Sequence, residues 1–130
     1  MRVAIAFFML LAGSPAIAAD QFDLLCKGDK WTVQGGSGEI HNFRARIDLA
    51  AQKWCEGDCK TVQSIASVAA DKLVLTDEGT LNSRMETSLV VTVDRKENVF
   101  HSLHVQVRPT DAYAEIWARC TTEAFTPFPS

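Results

Sequence analysis

The fold class of this chain is decided by residues 84–121, which read RMETSLVVTVDRKENVFHSLHVQVRPTDAYAEIWARCT. Apolar and polar residues alternate along it: Leu103, Val105 and Val107, for example, are separated by polar side chains. Alternation with a period of two and one polar face is typical of half-buried β-strands. Turn-forming residues interrupt the pattern at 95–98 and 109–111. The pattern therefore predicts three consecutive strands: 84–94, 99–108 and 112–121.

Similar runs and turn signals extend this pattern toward the N-terminus. They predict further strands at 22–26, 30–33, 40–48, 53–55, 60–67 and 72–76. Residues 27–29 and 77–79 are predicted turns. Only 49–53 has a helical pattern, and it is too short to stand as a helix. We therefore predict an all-β fold, an antiparallel meander that forms a small barrel or sandwich.

The last three strands can be aligned from the predicted turn lengths. A turn at 94–98 pairs Val91 with His101, and a turn at 109–112 pairs His104 with Trp117. The predicted core face consists of Leu89, Val91, Val93, Leu103, Val105, Val107, Ile116, Ala118 and Cys120. His101 also points toward this face.

The opposite face of the terminal hairpin is the candidate site. In this register it groups five residues that we predict to bind a partner: His104, Arg108, Tyr113, Trp117 and Arg119. Tryptophan, tyrosine and arginine are enriched in binding hot spots, because they combine a large contact area with directional donors. Two structural alternatives exist: another strand layer covers this face, or Trp117 packs on the aliphatic part of an arginine.

Four cysteines, Cys26, Cys55, Cys59 and Cys120, allow three ways of forming two disulfides. Cys55 and Cys59 flank the turn-forming residues 56–58, whereas Cys26 and Cys120 lie near the two ends of the domain. The sequence therefore favours Cys26–Cys120 and Cys55–Cys59. In the chain-entropy model the long bridge contributes about 4–5 kcal/mol and the short one about 2.

Residues 1–19 carry the features of a cleavable secretory signal. Arg2 precedes an apolar run at 3–12, then a Gly-Ser-Pro break and the small residues of 16–19. The run is too short for a typical membrane-spanning helix. We predict a signal peptide at 1–19 and a single β domain at 20–130, exported to the periplasm or beyond, with no membrane span in the mature chain.

Several functional classes lack support in the sequence. The net charge is −3 and basic runs are missing, which argues against nucleic-acid binding. Residues 35–38, Gly-Gly-Ser-Gly, fit neither a phosphate loop nor a nucleophile elbow and predict a hairpin loop. His101 and His104 lie three residues apart, so a strand places them on opposite faces and no metal site is predicted. No cofactor and no converging catalytic set is predicted either.

Three segments carry a resemblance to known proteins: Phe22–Gly28 (FDLLCKG), Ile47-Asp48-Leu49 leading to Trp54-Cys55, and Val93-Asp94-Arg95. Together they resemble a pattern of small exported bacterial β-rich proteins with no assigned activity, which implies export and a β-rich fold. In size and architecture the chain is also similar to the periplasmic lysozyme inhibitors, which are small disulfide-stapled β-barrels. Their serine-glycine recognition loop is not matched, because no corresponding tyrosine follows Ser37-Gly38.

These observations lead to an expected function. We predict a small exported binding or accessory module that is not an enzyme, inhibitor-like in its mode of action, with an unknown protein or envelope component as its partner. The alternatives are a small secreted hydrolase and a structural protein of the cell envelope.

Overall fold

The computed structural model describes residues 20–32 and 38–130. They form nine strands and, within these ranges, no helix. The strands are β1 (Gln21–Thr32), β2 (Glu39–Asp48), β3 (Lys53–Glu56), β4 (Gln63–Ser64), β5 (Ser67–Val68), β6 (Lys72–Leu81), β7 (Glu86–Asp94), β8 (Val99–Arg108) and β9 (Ala112–Glu123). The predicted signal peptide at 1–19 and residues 35–37 of the predicted glycine loop lie outside the described residues. Within those residues, no helix has the length and apolar character needed to cross a membrane.

All nine strands belong to one antiparallel sheet in the order β4-β3-β2-β1-β9-β8-β7-β6-β5, which is curled into a half-barrel. The segment between the two edge strands brings the edges together at one end. The backbone N–H of Ile65 donates to the carbonyl of Gln52 at 2.9 Å, and that of Ala66 donates to the carbonyl of Leu75 at 3.3 Å. The prediction of an all-β antiparallel fold is confirmed.

The core fills the concave face of the half-barrel near this end. Its largest fully buried side chains include Phe100, Leu24, Ile47 and Leu73. Phe43 packs edge-on against Phe100, with ring centroids 4.7 Å apart. Most of the strands contribute side chains to this core, and the burial of these side chains stabilises the curvature of the sheet.

Both predicted disulfides are confirmed. Cys26 of β1 lies directly opposite Cys120 of β9, and their Cα atoms are 4.0 Å apart. Cys55 and Cys59 close the turn after β3, where Gly57 takes a positive φ of 63°. The long bridge therefore ties together the two central strands that the chain forms first and last.

Two predicted turns are instead parts of continuous strands. β1 runs through 27–29 because Gly28 allows β1 and β9 to approach closely: a Cβ there would lie 1.9 Å from the carbonyl oxygen of Trp117. β6 runs through 77–79. The chain reverses later, where the side chain of Asn82 accepts the backbone N–H of Met85 at 2.8 Å. The predicted strand at 60–67 is replaced by the short β4 and β5.

The predicted register of β7 against β8 is wrong by one residue. Val91 lies opposite Ser102 rather than His101. The Asp94 side chain accepts the backbone N–H of Lys96 at 2.9 Å, which tightens the turn and makes Asp94 the partner of Val99. Since a one-residue slip moves every side chain to the other face, β8 is reversed relative to the prediction. Phe100 enters the core, whereas the predicted core residues Leu103, Val105 and Val107 lie on the convex face.

The predicted register of β8 against β9 is wrong as well. Trp117 lies opposite His101 rather than His104. The faces of β9 itself are as predicted, because Ala118 and Cys120 are buried and Trp117 is exposed. The convex face of β9 is therefore paired with residues of β8 that the sequence assigned to the core.

The C-terminal segment crosses part of the convex face. Asp23 of β1 is fully buried. Its carboxylate accepts hydrogen bonds from Thr126 Oγ1 and from Arg44 Nη1, both at 2.6 Å. Arg46 Nη1 donates to the carbonyl of Pro127 at 2.9 Å. These contacts cover the beginning of β1 and leave its second half open.

Candidate functional site

Three of the five predicted binding residues lie together. Tyr113, Trp117 and Arg119 alternate along the convex face of β9. His104 lies on the concave face of β8, where Nε2 is 3.3 Å from the hydroxyl of Thr87. Arg108 lies at the end of β8, where it forms an ion pair with Glu86 at 3.0 Å. The structure thus separates His104 and Arg108 from the other three.

His101 takes the place that the sequence assigned to His104. It lies opposite Trp117 on the neighbouring strand, and the two rings are stacked with centroids 3.8 Å apart and an interplanar angle of 24°. His101 therefore covers one face of the indole. The sequence missed this residue because the predicted register turned it toward the core.

Glu115 connects the aromatic side chains of this face. Its Oε1 accepts a hydrogen bond from Trp117 Nε1 at 2.6 Å and lies 2.8 Å from His101 Nε2. Its Oε2 accepts the hydroxyl of Tyr113. We call His101, Tyr113, Glu115 and Trp117 the aromatic cluster. Glu115 could have been found from the sequence, because it alternates with Tyr113 and Trp117 on one face of β9.

The electrostatics of the aromatic cluster favour an ionised Glu115. The hydrogen bond from Tyr113, followed by that from His101, holds the pKa of the Glu115 carboxyl below its usual value. The same carboxylate raises the pKa of Tyr113. Glu115 is thus a charged acceptor that fixes its three donors in place. This is opposite to the raised pKa that a catalytic general acid needs near neutral pH.

Trp117 remains half exposed in spite of these contacts, with 50% of its surface accessible. β1 extends the exposed face: Asp29 lies opposite Trp117, and Trp31 lies opposite Glu115. Trp31 is 41% exposed. The sequence missed both positions because residues 27–29 resembled a turn, which broke the alternation of Lys27, Asp29 and Trp31 on one side of β1.

Two shallow clefts flank Trp117. The larger, about 600 Å³, lies toward β7 and includes His101, Lys72 and Asp94 in its lining. The smaller, about 440 Å³, lies toward β1 and is lined by Lys27, Asp29, Val99, Trp117 and Arg119, together with the backbone around Gly28. Both clefts combine an aromatic wall with charged groups of both signs, which suits the recognition of a ligand that is partly apolar and partly polar.

Within residues 20–32 and 38–130, no group of three or more histidine, cysteine, aspartate or glutamate side chains comes together to hold a metal ion.

Comparisons of the chain with protein-family models, with curated proteins and with solved structures gave no significant match in any of the three.

Proposed function

We propose that this protein is an exported, non-catalytic binding module that contacts its partner through the aromatic cluster on the convex face. The proposal depends on one observation: Trp117 is exposed and at the same time held in place by its neighbours. Its indole is half exposed, yet it is held by a hydrogen bond of 2.6 Å to Glu115 and by stacking on His101 at 3.8 Å.

An exposed side chain that is already fixed in position is well suited to binding. Ordering a side chain at an interface costs about 0.5–1.5 kcal/mol, and a side chain that is ordered beforehand avoids much of this cost. Tryptophan also offers a large apolar surface, and it is among the residues that dominate binding energy in interfaces. The contacts of Trp117 therefore support a recognition role for this face.

Export is supported by two features. Residues 1–19 have the composition of a secretory signal, and two disulfides staple a domain of about 110 residues, as is common in oxidising compartments. The lowered pKa of Glu115 argues against this residue as a general acid, because it suits a fixed acceptor rather than a proton donor.

The test is capture of envelope components by the immobilised wild-type domain and by two variants. Trp117→Ala should weaken retention of the captured component about 30-fold or more, the effect of losing a hot spot of about 2 kcal/mol. Leu81→Ala removes a residue that is 77% exposed at the end of β6, away from the cluster, and should leave retention unchanged.

Thermal unfolding of all three proteins provides the control for folding. Leu81→Ala should melt like the wild type, because its side chain is largely exposed. Trp117→Ala should melt at a lower temperature, because it loses the hydrogen bond to Glu115 and the stacking on His101, but it should remain folded at the temperature of the capture assay. Equal retention by the wild type and Trp117→Ala would show that the aromatic cluster is not the binding surface.

A further inference from the structure

The smaller cleft beside Trp117 contains an unfavourable arrangement of charge. Lys27 of β1 lies directly opposite Arg119 of β9, and both are exposed. Like charges placed directly opposite each other on adjacent antiparallel strands destabilise the pair. Within the described ranges, neither side chain takes part in an ion pair with an acidic residue. In the part of the chain that the structure describes, these two cations therefore lie together without an ion-pair partner.

The same cleft has an aromatic wall next to these cations. His101 covers one face of the Trp117 indole, so the exposed half of this side chain includes the opposite face. Asp29, directly across from Trp117, adds an exposed carboxylate that can accept hydrogen bonds. The cleft thus combines a flat apolar surface, one acceptor and two adjacent cations within about 440 Å³.

We propose that this cleft binds an acidic sugar residue of a glycan, such as a uronate. The C–H groups of one face of the sugar ring would lie on the indole, whose face is electron-rich. The sugar carboxylate would take charge-assisted hydrogen bonds from Lys27 and Arg119. A hydroxyl group of the ring would donate to Asp29. The sugar thereby neutralises the paired cations, which no described residue of the chain does.

A neutral sugar or a bare anion satisfies only part of this site. A neutral ring leaves Lys27 and Arg119 uncompensated, whereas inorganic phosphate has no apolar face for Trp117. A purely apolar ligand would remove water from three charged groups without pairing them, which is costly. The combination of ring and carboxylate is therefore the feature that the cleft selects. This inference rests on the proposed function, because it names the ligand of the same surface.

The experiment is a titration of the isotope-labelled domain, followed through the NMR signal of the Trp117 indole N–H. The probes are trigalacturonate, the neutral trisaccharide maltotriose and inorganic phosphate, each added to about 10 mM so that a site with a Kd of about 1 mM becomes nearly saturated. Trigalacturonate should shift the signal with an affinity at least about tenfold higher than that of maltotriose, the effect of losing a charge-assisted hydrogen bond. Phosphate should leave the signal in place.

Two variants test the role of the cations. Lys27→Gln and Arg119→Gln should each weaken trigalacturonate binding about tenfold while leaving the melting temperature equal to or above that of the wild type, because each removes half of a repulsive pair. Added salt should weaken binding in the wild type. Lys72→Gln is the matched control in the other cleft and should have no effect.

Each of three results would overturn the inference: no shift with trigalacturonate, equal affinity for maltotriose, or binding that is unchanged in both glutamine variants. If any of these occurs while Trp117→Ala still weakens capture of an envelope component, the acidic sugar is excluded and the binding role of the aromatic cluster stands. If Trp117→Ala also leaves capture unchanged, both proposals fail.

Discussion

Replacing Thr126 with valine is expected to destabilise the domain, because it removes a donor from the fully buried carboxylate of Asp23. Asp23 has no accessible surface, and it accepts hydrogen bonds from Thr126 Oγ1 and Arg44 Nη1, both at 2.6 Å. The backbone N–H of Thr126 donates to the same carboxylate at 3.1 Å. Valine keeps the shape of threonine and the backbone donor, so the substitution isolates the hydroxyl.

The expected loss is about 1.5–3 kcal/mol, the range for a hydrogen bond to a charged group. For a domain of this size it corresponds to a decrease in melting temperature of roughly 4 °C or more for each kcal/mol. Urea unfolding with the disulfides intact measures the free energy directly. Thr126→Ser should retain most of the stability, and Thr121→Val, at an exposed position of β9, is the control for introducing valine.

The effect should depend on pH. Burial raises the pKa of Asp23, but the hydrogen bonds from Thr126 and Arg44 outweigh it, so that the pKa lies below its ordinary value of 3.8. A carboxyl with a lowered folded-state pKa stabilises the protein above the unfolded-state pKa, and this stabilisation is lost as the pH falls through the folded-state value. The difference between the wild type and Thr126→Val should therefore be full at about pH 7 and should decrease as the pH falls below the ordinary value of 3.8 toward the lowered folded-state pKa.

Two outcomes would contradict this role of Thr126. If Thr126→Val and Thr121→Val unfold at the same urea concentration at about pH 7, the C-terminal segment is not docked on Asp23 in solution. A large difference that persists undiminished in acid would instead show that Thr126 acts through packing rather than through the carboxylate.

Three further substitutions test the close approach of β1 and β9, the long disulfide and the core. Gly28→Ala should destabilise the domain by about 1–3 kcal/mol in urea unfolding, as overpacked positions do. The control Gly79→Ala should be neutral or stabilising, because its added Cβ would lie 3.4 Å from the nearest atom. Equal effects of the two substitutions would contradict the close approach of β1 and β9. Cys120→Ala should lower the free energy of unfolding by about 2–3 kcal/mol more than Cys59→Ala, because the two disulfides close loops of 94 and 4 residues. Calorimetry measures both losses, and a larger loss in Cys59→Ala would contradict this expectation. Phe100→Ala should cost about 3–5 kcal/mol in urea unfolding, as deletion of a fully buried ring does; a loss below about 1 kcal/mol would favour the register that places this ring outside the core.

The sequence by itself determined the class of fold, the disulfide pairing and the faces of β9. Alternation is a local property, since neighbouring side chains of a strand always point to opposite faces. Ala118 and Trp117 could therefore be assigned to the core and the surface without knowledge of the partner strands. The disulfides could be predicted because the positions of Cys55 and Cys59 around a short turn leave Cys26 and Cys120 as partners.

The tertiary structure decided which face of each strand turns toward the core and which residues of neighbouring strands lie opposite each other. β8 carries apolar residues at both alternating positions, with Phe100 on one side and Leu103 and Val105 on the other, so its own pattern does not select a face. The choice is made by the turn that Asp94 closes and by the packing of Phe100 against Phe43, a residue of β2 far away in the sequence.

The same long-range effects assembled the candidate site. Gly28 appeared to mark a turn, but its lack of a side chain is needed where β1 meets β9, and this contact brings Lys27 and Asp29 beside Arg119 and Trp117. His101 reaches Trp117 only in the observed register. Local alternation thus fixed which residues face outward on β9, whereas the residues opposite them depend on strand pairing, which turn geometry and core packing determine.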